Sequence, residues 1–120
     1  MRPTLLEIRR YDATSRKSQM LIHGNLAFIT GQVADDISLD IKGQTRQVLS
    51  KIDRLLDRAK ADKSRILWAS IWIADYQDFD LVNEVWDMWT PDGEAPARAC
   101  VEAKPAVEGY RVEIAVIAGI

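Results

Sequence analysis

The chain has 120 residues, 48% of them apolar, so it can bury one core and reads as one domain over residues 1–120. Sixteen Lys and Arg against eighteen Asp and Glu leave a formal net charge of −2, and no basic run is interleaved with aromatics, which argues against nucleic acid as a partner. One cysteine, Cys100, and one histidine, His23, exclude an internal disulfide and argue against a zinc site, which usually needs several such ligands.

The opening MRPTLLEIRRYD carries charges every few positions and does not read as a signal peptide; no run approaches membrane-spanning length. The expected location is the cytoplasm, with no membrane partner. Residues 5–11 and 18–23 are short β-rich stretches, and Gly24-Asn25 is a turn signal before 26–33. These predict a strand followed by a hairpin. After an acidic connection at 34–40, Val48, Ile52, Leu55, Leu56 and Ala59 recur at helical spacing, predicting an amphipathic helix over 44–61.

Residues 65–74, RILWASIWIA, are apolar at nearly every position, so both faces of this strand need cover. Asp78 is placed to cap a second helix whose stripe is Phe79, Val82, Val85, Trp86 and Trp89, stopped by TPDG at 90–93. Two last strands follow at 97–103 and 111–118. The order β-β-β-α-β-α-β-β predicts an α+β fold, one mixed sheet with both helices on one face. Its other face would stay open in one chain, so subunits are expected to cover each other's sheets.

Strand alternation puts Arg98, Cys100 and Glu102 on one face of 97–103, and Arg111, Glu113 and Ala115 on one face of 111–118. If the two strands are neighbours, Arg98 and Glu113 line one pocket. A guanidinium can grip a carboxylate through two parallel hydrogen bonds, and a desolvated carboxyl can orient water or move a proton near neutral pH. The plainer alternatives are a salt-bridged arginine and a solvent-facing carboxylate. Cys100 sits among small apolar residues with no activating His or Lys beside it in sequence and reads as an inert thiol. His23 reads as solvated, and Trp68, Trp72, Trp86 and Trp89 mostly as core or interface, one of them a candidate pocket wall.

APARACVEA at 95–103 followed by RVEIAVIA at 111–118 resembles the end of the reactive-intermediate deaminase family (Rid, also called YjgF), including the fifteen-residue step from Arg98 to Glu113. GNLAFITGQV at 24–33 is similar to the family's hairpin motif, and DFDLVNEVWDMW at 78–89 to its second-helix motif. Closer likeness is to the shorter, tryptophan-rich members. The resemblance implies a chorismate mutase-like fold, a homotrimer with active sites between subunits, and hydrolysis of small 2-imino acids to 2-oxo acids and ammonium without a cofactor or metal. It implies that Arg98 grips the substrate carboxylate, that the Cys100 backbone holds the imine nitrogen, and that Glu113 orients the attacking water. Thr30, Gly31 and Asn83 match positions lining or supporting the pocket. Lys17 stands where archetypal members carry an aromatic, and Ala115 where they often carry a second Glu. The alternative is a non-catalytic trimer that binds small carboxylates such as 2-oxo acids.

Overall fold

A computed structural model of the chain describes residues 6–120; Leu5, which the sequence places at the head of the first strand, lies outside them. Six strands, β1 (Ile8–Tyr11), β2 (Met20–His23), β3 (Leu26–Gln32), β4 (Ile66–Ile73), β5 (Ala97–Glu102) and β6 (Val112–Gly119), alternate with two helices, α1 (Ile41–Arg58) and α2 (Phe79–Trp89), in the expected order. The strands form one sheet in the order β1-β2-β3-β6-β4-β5, antiparallel throughout except for the parallel pair β4 and β5.

The helices share one face for a topological reason. Both connect parallel strands, β3 to β4 across β6 and β4 to β5 directly, and both crossovers step toward the β5 edge. Crossovers of the usual right-handed kind that step the same way place their helices on the same side of a sheet. Beneath them Ala69, Ile71 and Ile73 of β4 and Val112, Ile114 and Val116 of β6 are buried against Leu49, Ile52, Val82 and Trp86. Burying a side chain of this class contributes about 1.5–3 kcal/mol, which is why the two central strands anchor the fold.

The opposite face is uncovered in a single chain. Phe28, Trp68 and Val101 are exposed on it, Trp68 at 39%, so the apolar character of 65–74 is only half accounted for by the chain's own helices.

Local differences from the sequence reading have local causes. α1 starts at Ile41 because Asp40, read as part of the acidic connection, caps it: its Oδ1 accepts from Gly43 N at 2.8 Å. It ends at Arg58, where Lys60 takes a positive φ of 57°. Asp78 occupies the position before α2 but makes no side-chain capping bond; its carboxylate receives Arg111 Nη2 at 2.9 and 3.2 Å. Arg111, expected to share a strand face with Glu113, lies just before β6 and pairs with Asp78.

Candidate functional site

Arg98 lies on β5 beside buried Ala69 of β4, which turns its side chain toward the helix layer. There its Cζ sits 5.3 Å from the centre of the Trp86 ring on α2, a cation–π contact. Arg98 has no salt-bridge partner among the described residues. A half-buried guanidinium held by an indole and not neutralised by an acid is available to an external carboxylate. Cys100, two residues on, faces the same way and is half-buried. Burial pushes its thiol up, and the positive charge of Arg98 opposes this only in part, as the inert-thiol reading expects. Asn83, half-buried, lies one turn before Trp86 on the same side of α2.

Glu113 belongs to the other face. It pairs across the sheet with Trp72, and its carboxylate lies over Gly31 of β3. A bulge between Ile29 and Gln32 brings Gly31 there and turns Gln32 inward, where its Nε2 donates to Gln19 Oε1 at 3.0 Å and to Thr30 O at 3.1 Å. A Cβ on residue 31 would stand 2.8 Å from Glu113 Cδ and nearer still to its Oε2, so the absence of a side chain at Gly31 gives the carboxylate its seat. Gly31→Ala is therefore expected to swing Glu113 aside at little cost in stability, since a flexible side chain can yield. Any turnover that depends on Glu113 should fall by about tenfold or more, the scale of an approximately 1.4 kcal/mol misplacement. Combining it with Glu113→Gln should add almost nothing, which a double-variant cycle would read directly.

β4 separates β5 from β6, so the expectation that Arg98 and Glu113 line one pocket of one chain is corrected: they lie on opposite faces of the sheet. Thr30 and Lys17 do come together. Both line a cleft of about 670 Å³ on the open face, with Trp68, Ser70 and Ala115. A smaller hollow of about 320 Å³ next to it holds Glu113 with Trp72, Lys104 and Tyr110. The candidate residues thus fall into two groups: Arg98, Cys100, Asn83 and Trp86 at the β5 edge, and Glu113, Gly31, Thr30 and Lys17 on the open face. Trp86, read as core or interface with one tryptophan a candidate pocket wall, is the platform of Arg98; its helical stripe signalled burial and did not single it out. His23 is exposed and belongs to neither group.

The comparison with known proteins agrees with this architecture. The family model described as Endoribonuclease L-PSP matches residues 7–120, and a RutC family protein of Haemophilus ducreyi is 42% identical over 94% of this chain and 97% of its own. The chain belongs to the Rid family, also called YjgF or RutC. Solved structures carry the same Rid fold: a Pseudomonas aeruginosa protein superposes with a TM-score of 0.92 at 44% identity, covering 94% of this chain and 98% of that one. A YjgF family member from Neisseria meningitidis gives 0.89 at 38%, covering 94% of each. The chorismate mutase-like topology expected from the Rid motifs is thereby shown for the chain.

Proposed function

We propose that this Rid-family chain hydrolyses small 2-imino acids to 2-oxo acids and ammonium, at a composite site formed where the β5 edge of one subunit meets the open sheet face of another in a homotrimer. The observation that carries this reading is Arg98: stacked on Trp86, free of any acidic partner among the described residues, and on the face opposite Glu113. A guanidinium so placed suits a carboxylate brought by a ligand. The exposed apolar residues of the open face support assembly, because a monomer seldom leaves such a patch uncovered.

The chemistry asks little of the protein. Arg98 would hold the substrate carboxylate and the Cys100 backbone the imine nitrogen. Glu113 would orient water for attack on the imine carbon and pass a water proton to the nitrogen. The tetrahedral adduct then forms its C=O bond as the C–N bond breaks; its hydroxyl proton passes through Glu113 to the nitrogen, which leaves as ammonia and takes up a proton from water to become ammonium. No electrons change hands, so neither a redox cofactor nor a covalent intermediate is required. Fixing substrate and water in one geometry supplies the acceleration.

The test is the rate of 2-oxo acid formation from iminopropanoate generated in situ by an amino acid oxidase. The protein should accelerate it, and Glu113→Gln should lower turnover about a hundredfold, the usual scale for losing a positioned acid–base group, with 2-oxo acid affinity retained. No acceleration by the wild-type chain, with 2-oxo acids still bound, would replace the deaminase by a carboxylate-binding trimer.

A further inference from the structure

The open-face cleft holds more positive charge than that reaction uses. Arg10, Arg16 and Lys17 all line it with the hydroxyls of Thr30 and Ser70, and no acidic side chain lines it among the described residues. In a chain of net charge −2 this is a local reversal of sign. None of the three cations has an ion-pair partner among the described residues; Asp12, their neighbour in sequence, is engaged by Arg58 at 2.6 and 3.2 Å.

Arg10 stands on β1, and Arg16 and Lys17 on an ordered turn. Thr14 N donates to Lys17 O at 2.7 Å, and Arg16 N and Lys17 N donate to Thr14 Oγ1 at 3.2 and 3.3 Å. Ala115 puts no charge in the cleft. Glu113 and Ala115 are alternate residues on one face of β6, about 7 Å apart. The reacting centre over Glu113 and a second anionic group in the cleft can therefore belong to one short molecule.

We propose, resting on the deaminase reading above, that the preferred substrates are 2-imino dicarboxylic acids, the imines of acidic amino acids. Arg98 of the partner subunit takes the carboxylate beside the imine, and Arg10, Arg16 and Lys17 take the one at the far end. Lysine at position 17 then selects for charge.

Imines of aspartate, glutamate and alanine, generated in situ by the matching oxidases, separate the possibilities. The aspartate or glutamate imine should exceed the alanine imine in kcat/KM by about tenfold or more, the worth of one charge-assisted contact open to solvent. That ratio should fall with added salt, because exposed charges are screened, and should collapse toward one in the combined Arg10→Gln, Arg16→Gln, Lys17→Gln variant. These side chains are exposed, and an unchanged melting curve would show that the variant folds. Arg98-dependent turnover with no preference for the diacids overturns the dicarboxylate assignment and leaves the deaminase standing. A preference that survives the triple variant removes the cluster from its cause. Absence of Arg98-dependent turnover on all three imines overturns both.

Discussion

Arg98→Ala is expected to lower kcat/KM for imine hydrolysis by about a hundredfold to a thousandfold while leaving the fold intact. A bidentate grip on a carboxylate comprises two charge-assisted hydrogen bonds, each worth roughly 1.5–3 kcal/mol; since each 1.4 kcal/mol is tenfold, even the lower end predicts a loss of this size. The effect on stability is far smaller, because what the chain itself loses is the contact with Trp86, worth about 0.5–1 kcal/mol at a partly exposed site. Arg98→Lys should recover little: an ammonium keeps the charge and loses the planar fork. Turnover and thermal unfolding measured on the same preparations separate these terms. Unchanged turnover in Arg98→Ala would end the case for a carboxylate grip at this position.

The fold could be read from periodicity because each element carries its own burial pattern. Helical spacing of Val48, Ile52, Leu55 and Leu56 located α1 on the sheet, and alternation assigned Arg98 and Glu113 to the correct sides of their own strands. Alternation is silent, however, about which side of one strand continues which side of another. That depends on β4 inserting between β5 and β6, in a register that opposes Trp72 to Glu113 and Ala69 to Arg98. The sequence therefore singled out two side chains and joined them in one chain, where the sheet keeps them apart.

Long-range polar contacts were equally invisible. Asp78 reads as a cap because capping is a local rule, whereas its partner Arg111 lies 33 residues away. Arg10, Arg16 and Lys17 drew no attention as a cluster, since strand pairing between Tyr11 and Met20 and the turn at 14–17 bring them around one cleft. Gly31 was visible as a motif position, but the Glu113 carboxylate that requires a glycine there became apparent only through the packing.

Gln44→Ala is expected to be among the most destabilising single changes in the chain, at about 3 kcal/mol or more. Gln44 is fully buried. Its Nε2 faces three carbonyls, Gly109 O at 3.1 Å, Leu39 O at 3.3 Å and Ile37 O at 3.4 Å, while its Oε1 accepts from Arg111 N at 3.0 Å. One amide thus ties the first turn of α1 to the connection before it and to the backbone entering β6. Truncation strands several of these groups without water, each at a cost of about 1–3 kcal/mol, and opens a cavity as well. For a chain of this length the midpoint of thermal unfolding should fall by roughly 10 °C. Gln44→Met distinguishes the causes, because it fills most of the volume and supplies no hydrogen bonds. A methionine variant as stable as wild type would mean that the site needs bulk alone. If it instead falls nearly as far as alanine, the hydrogen bonds dominate, and the backbone at Arg111, just before β6 and two residues from Glu113, is held in place by a side chain of the helix layer.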